Sequence, residues 1–200
     1  MQLYRKVKAV EKVFRALGRD IEKFQRTTGF YCIEGCGVCC MKSGVEASPL
    51  EFLPLAYGLF QERRAMEILE MLSRDDVEDI CIFFDRLRDA SKPGRCLEHP
   101  RRGLICRLFG FSSTVDRNGK LRFSTCRPLK DLYPDGYLAT NRGVAEGLPI
   151  PRGEYYYMML RAVDSDLMRY YPINTAVKKS LETVLGYYSY RRRRVPVAVA

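Results

Sequence analysis

The chain has no tryptophan, a single histidine and no long apolar run. The missing tryptophan excludes nothing. The missing run does: nothing approaches the ~18 apolar residues of a membrane-spanning helix. The opening Met1-Gln2-Leu3-Tyr4-Arg5-Lys6 leads into a charged amphipathic segment, not an apolar signal core. These absences predict an intracellular, cytoplasmic protein, where stable disulfides are rare and cysteine clusters bind metal or do redox work. With His99 as the only histidine, a metal site in this chain is essentially all cysteine. His99 lies three residues past Cys96, beside a proline and two arginines, and reads as a surface residue before it reads as a ligand. No internal repeat and no linker interrupts the sequence, so residues 1–200 are expected to form a single domain.

Cysteine is what the chain has in excess. Cys32-Ile-Glu-Gly-Cys36-Gly-Val-Cys39-Cys40 holds four thiols in nine residues with two glycines between them. Glycine permits the tight backbone turns that let several sulfurs converge on one point. Four more follow, Cys81, Cys96, Cys106 and Cys126, each at an expected element end or beside a Gly or Pro turn. Buried free cysteines are common one at a time, but eight with four clustered point to a metal. Arg95, Arg101, Arg102, Arg107 and Arg127 crowd the later cysteines and would offset the charge of several thiolates.

Hydrophobic spacing places these thiols on elements. Leu3, Val7, Val10, Phe14, Leu17, Ile21 and Phe24 form one stripe of a helix over about 3–27, with Gly18 inside it. Ser48-Pro49-Leu50-Glu51 is a helix start in which Ser48 caps, Pro49 suits the first helical position and Glu51 completes a capping box. That helix should reach about Phe60, with a further helical stretch over 64–73; 75–79 is ambiguous. The run 80–84 suggests a short strand and 91–94 a turn. Residues 103–111 lead into a hairpin whose turn is Asp116-Arg117-Asn118-Gly119 and whose return strand covers 120–124. Loop is expected over 128–151, then helices over about 154–170 and 173–190, a C-terminal helical pair within 150–192. The fold class is α+β, mainly α, with a small β-hairpin and a cysteine nest whose core spans 20–130.

Charge and aromatics bear on partners. Lys and Arg number 34 against 24 Asp and Glu, a formal net charge of +10, which favours nucleic acid, an anionic membrane or an acidic protein. Part of the excess is Arg191-Arg192-Arg193-Arg194, and basic tails of this kind are often merely solvated. Tyr155, Tyr156, Tyr157, Tyr170, Tyr171, Tyr187, Tyr188 and Tyr190 crowd the same end. Such rings can stack on bases, but they more often pack with a wet hydroxyl.

The spacing Cys32-x3-Cys36-x2-Cys39 is also that of the radical S-adenosylmethionine cluster loop. Here a long helix precedes the loop, an adjacent fourth cysteine follows, and no series of strand–helix units comes after. The ordered eight cysteines instead resemble the YkgJ-type proteins, a family named for a CxxCxxCC motif and described as zinc- or iron-chelating. Cys36-Gly37-Val38-Cys39-Cys40 matches their loop, with Cys32 one residue further away than usual. Cys81-Ile82-Phe83-Phe84-Asp85 matches the next block. Cys96, Arg102, Cys106 and Arg107 fall in register with a third, where His99 replaces Tyr and Gly103 replaces Pro. Cys126 stands as the last cysteine. The resemblance spans about 20–130 and implies an iron–sulfur or zinc site; some members are described as iron–sulfur oxidoreductases. Enzymes that methylate flagellin lysines carry a similar cysteine pattern, but no glycine-rich S-adenosylmethionine loop is visible here.

Three functions follow. The first is a cysteine-ligated iron–sulfur protein, of 4Fe–4S type, acting in electron transfer, cluster delivery or a modification system with a partner protein. The second is a structural zinc module that presents a surface to a protein or nucleic acid. The third is an enzyme proper, either redox or methyltransferase-like. More sulfurs than one zinc needs, and spacing that does not divide into two C-x2-C knuckles, favour iron–sulfur. Cys39 and Cys40 are adjacent, so their side chains tend to diverge and can serve different sites.

Overall fold

The structure, a computed structural model, describes residues 2–32, 36–74, 79–86 and 94–192. Part of the cysteine loop, most of the ambiguous 75–79 stretch, most of the 91–94 turn and the chain from Arg193 onward lie outside the described residues. Among those described, eight α-helices stand against three two-stranded antiparallel sheets, and the α+β, mainly α expectation holds. No described helix is long and apolar enough to cross a membrane.

Helix α1 (Leu3–Thr28) buries Leu3, Val7, Val10, Val13, Phe14, Leu17 and Phe24 and runs unbroken through Gly18. It stops at Gly29, whose φ of 73° closes the helix by an N–H bond to the Gln25 carbonyl. That left-handed geometry costs glycine nothing and most residues dearly. A strand β1 (Glu46–Ala47) and a 3-10 turn over Pro49–Phe52 lead into α2 (Leu53–Gln61). The expected helix start is therefore tighter than an α-turn, though the Ser48–Glu51 pairing is present: Glu51 Oε1 accepts the Ser48 N–H at 2.9 Å and its hydroxyl at 3.0 Å. Helix α3 (Ala65–Met71) follows.

The run 80–84 is mostly turn. Only Phe84–Asp85 (β2) is extended, pairing with Arg95–Cys96 (β3) in the register Phe84↔Cys96 and Asp85↔Arg95. The approach to the hairpin, given no element of its own by the sequence, is helix α4 (Leu104–Leu108), in which Leu104 and Leu108 sit four apart and are both buried. The hairpin itself is as expected: β4 (Ser112–Val115) pairs with β5 (Leu121–Ser124), and Gly119 turns with φ 77°. Asp116 Oδ1 accepts the N–H groups of Asn118 and Lys120 across that turn.

Residues 128–151 correct the sequence expectation most. They contain α5 (Arg127–Leu132) and α6 (Pro134–Ala145), not a loop. Pro128 and Pro134 lie in the first helical turn, where a missing N–H costs nothing. Gly136, read as a breaker, lets the Phe30 ring approach to 3.4 Å from where a Cβ would stand. Helix α7 (Gly153–Val163) ends earlier than 170, because Asp164 Oδ1 takes the N–H groups of Asp166 and Leu167 and its carboxylate pairs with Lys6. Strand β6 (Tyr171–Pro172) then pairs with β1, and α8 (Ile173–Arg192) is the last described element. The C-terminal helices pack on α1 and α2 respectively, rather than chiefly on each other.

Apolar packing falls into two clusters. The larger gathers α1, α2, α7 and α8, with Leu50, Leu59, Leu160, Leu181 and Val184 among its buried residues. The smaller is built on Phe24, Phe30, Phe111, Phe123, Leu129 and Val144. In it the Phe123 ring lies 5.2 Å from both Phe24 and Phe30 and 5.9 Å from Tyr137. Helix α1 supplies residues to both. Most of the C-terminal tyrosines pack here too: Tyr156 is buried, Tyr188 stacks on Phe60 at 4.6 Å, and Tyr155 and Tyr170 are exposed.

Truncating Phe123 should cost about 3–5 kcal/mol, the usual range for a buried phenylalanine. Urea unfolding of F123A checks this; a loss below 1 kcal/mol would mean the ring cluster does not hold the hairpin.

Candidate metal centre

The eight cysteines reach their places by separate routes. Cys32 follows the helix stop and Phe30, whose ring is anchored in the smaller cluster at 5.2 Å from Phe123 and Tyr133, and it emerges exposed. Cys39 and Cys40 lie in a turn closed by Cys40 N–H to Gly37 O at 2.8 Å. Cys81 donates its N–H to the Cys40 carbonyl at 3.2 Å, which ties the second segment to the first. Cys96 sits on β3 across from Phe84. Cys106 is inside α4, and Cys126 precedes α5 and accepts the Lys130 N–H.

Two unforeseen residues hold this arrangement. Asn174, at the start of α8, accepts the Ile82 N–H at 2.9 Å and donates to the Ile80 carbonyl at 2.7 Å. It thus clamps both flanks of Cys81 from 92 residues away, and no local sequence signal announces it. Glu51, foreseen only as part of a cap, also accepts the Ile105 N–H at 2.8 Å through Oε2. That amide belongs to the first turn of α4, where N–H groups lack partners within the helix.

Four of the thiols influence one another's protons. Cys40 is within thiol hydrogen-bond reach of Cys39, Cys81 and Cys96, and holds its proton far above the ordinary thiol range because of those three bonds. Its partners move the opposite way. The bond from Cys40 lowers Cys39 to about 6 and Cys96 to about 7, and also lowers Cys81. Burial pushes Cys106 up, helped by the charges of Cys81 and Cys39. Partial loss of solvent around the sulfur likewise raises exposed Cys32, beside Cys36, and half-buried Cys126, which feels both Cys36 and Cys39. All eight thiols are free. Among the described residues, no three His, Cys, Asp or Glu side chains surround a common metal position. Thiols whose pKa values are lowered, as at Cys39, Cys81 and Cys96, are nonetheless soft donors that a thiophilic cation would draw on.

The neighbouring groups divide by role. His99 is exposed, and its Nε2 lies 2.9 Å from Arg102 Nη1, so it faces an arginine and not the sulfurs. Burial lowers its pKa, as do the charges of Arg102 and Arg107. A hollow of about 620 Å³ opens beside the thiols, lined by Cys39 and Cys126 together with Lys42, Phe109, Ser124 and Thr125. The Arg191–Arg194 run lies at or beyond the edge of the described side chains.

Residues 31–127 match the model of the CxxCxxCC family, described as a "Putative zinc- or iron-chelating domain". The match spans just under half of the chain, takes in all eight cysteines, and supports metal binding by this segment. No curated protein and no solved structure matches the chain.

In the metal-free, reduced protein, alkylation of Cys39 by iodoacetamide should persist at neutral pH. It should fall away only as the pH drops through about 6, because the thiolate is the reacting species. Buried Cys40 and half-buried Cys106, both held protonated, should stay unlabelled over that range. Peptide mapping of the alkylated protein checks both; equal labelling of Cys39 and Cys106 at pH 7 would contradict the shared-proton arrangement.

Proposed function

We propose that this protein holds an iron–sulfur cluster on cysteine thiolates drawn from Cys32, Cys36, Cys39, Cys40, Cys81, Cys96, Cys106 and Cys126. The observation that carries the proposal is the main-chain joining of cysteine-bearing segments: the Cys81 N–H bonds the Cys40 carbonyl at 3.2 Å, and Cys96 stands opposite Phe84 on the paired strand. Core packing alone does not call for ionisable thiols on each of the segments so joined. Soft sulfur donors suit iron–sulfur clusters and zinc alike. Eight thiols exceed the four that a structural zinc takes, which favours the cluster.

A bound cluster supplies one-electron transfer, and the chain's own residues do the rest. Cys40 would have to give up its proton to serve as a ligand, so loading the site would release protons to solvent. Glu51 and Asn174 hold the segments bearing Cys106 and Cys81 in place. The hollow beside Cys39 and Cys126 leaves one side of the thiol group open to a redox or modification partner. Free thiols throughout fit a reducing cytoplasm.

Anaerobic purification followed by metal analysis and an absorption spectrum tests the reading. Iron with acid-labile sulfide and broad visible absorbance is the expected result. A colourless protein with stoichiometric zinc would replace the cluster with a structural zinc module. Cys40→Ser should abolish metal retention, and retention at the wild-type level would remove Cys40 from the ligand set.

A further inference from the structure

Five arginines lie next to the later cysteines in sequence, and four are committed elsewhere. Arg95 pairs with Asp85 at 3.2 Å. Arg101 pairs with the buried Glu98 at 2.6 Å and with Glu62. Arg127 is nearly fully exposed and lies 3.6 Å from Asp131. Arg107 covers the Phe14 ring at 4.6 Å and donates to the carbonyls of Arg102 and Pro100 at 3.0 and 2.7 Å. Burial lowers its pKa to about 10.

Arg102 is different. Among the described residues no carboxylate pairs with it, and its one side-chain partner is the imidazole of His99. Its Nε is buried and has no hydrogen-bond acceptor. A guanidinium cannot shed its charge to escape such a setting, and an unpaired buried donor on a cation is costly. Its field is felt at Cys32, Cys39, Cys96 and Cys106, which come from three segments of the site. Among the described residues no carboxylate supplies the missing anion, and Arg102 stands along the chain between Cys96 on β3 and Cys106 in α4.

We propose that Arg102 is the charge-balancing and positioning residue of the metal centre, its buried Nε–H donating to metal-bound sulfur while His99 holds the outer edge of the guanidinium. The inference rests on the metal-site reading above. It gives a role to an N–H that has no other partner. It also explains why His99 is placed against an arginine instead of among the thiols. A cation beside the sulfurs stabilises the more negative, reduced state of a redox centre and slows loss of metal to a chelator. Hydrogen bonding to ligand sulfur acts in the same direction.

The test compares wild type, R102Q and R102K after anaerobic reconstitution with iron and sulfide. The readouts are metal content, the rate of extraction by a chelator, reduction potential, and far-ultraviolet circular dichroism for the fold. R102Q should extract about 10–100-fold faster, the range typical of outer-shell changes, and show a lower potential. R102K keeps the charge but loses the planar fork, so it should fall between the two. If wild type binds no metal, the metal reading and this inference fall together. If wild type loads and both folded variants match it in extraction rate and potential, only the inference falls. Loss of fold in R102Q with wild-type behaviour in R102K, or loss of fold in both, assigns Arg102 to structure and also overturns it.

Discussion

A single buried carboxylate decides how the two ends of the cysteine set meet. Glu51 and Ser48 are fully buried, and burial pushes the Glu51 carboxyl up while its hydrogen-bond donors pull it back. One oxygen takes both polar groups of Ser48 and the other takes the first-turn amide of Ile105. A carboxyl group left without such partners in this position would cost several kcal/mol. The bonds are specific in direction, so they lock the turn that follows Cys40 to the helix that carries Cys106. The Phe52 ring, pressed against Gly103, allows no side chain between the two elements. Helix α8 packs against the same turn and brings Asn174 to the backbone on either side of Cys81.

Within this frame, charge governs the thiols. Crowding sulfurs around Cys40 favours a proton retained there, because each thiolate gained makes the next harder to form, while interaction with the protonated Cys40 lowers Cys39, Cys81 and Cys96. Most of the surrounding cations are spent on Asp85, Glu62, Glu98 and Asp131. The site is therefore left with surplus negative charge near one arginine. This is a more exacting condition than the presence of eight cysteines, and it separates a metal-binding nest from a collection of buried thiols.

Much of this was legible in the sequence where the signal was periodic or chemically marked. The α1 stripe, the Asn118-Gly119 hairpin and the Ser48–Glu51 pairing stand as expected, because helical spacing, turn chemistry and capping act within a few residues. The 128–151 stretch was misread because Pro128, Pro134 and Gly136 look like breakers. Two of them start helices, and the third admits a Phe30 ring that only the tertiary structure supplies. Helix α4 does not show in the sequence, where 103–111 reads only as the lead into the hairpin, because five residues give little periodicity. In the site, the order and spacing of the cysteines were visible. Which thiol keeps its proton, and the clamp from Asn174, were not, since both depend on contacts between distant segments.

Gly37 and Gly94 carry a consequence for tolerance. A Cβ on Gly37 would stand 2.8 Å from the Gly94 carbonyl oxygen and from the Phe84 ring. One on Gly94, whose φ is +81°, would stand 2.5 Å from the Asp85 oxygen. The segments bearing Cys36 and Cys96 thus touch main chain to main chain, and their separation is set by atoms that are absent. Such a contact works as a gauge: no rotamer can absorb an added methyl, so even alanine would have to push the strand and the loop apart. The distance between those two sulfur-bearing segments is therefore written into the chain by two residues that have no side chain and bind nothing.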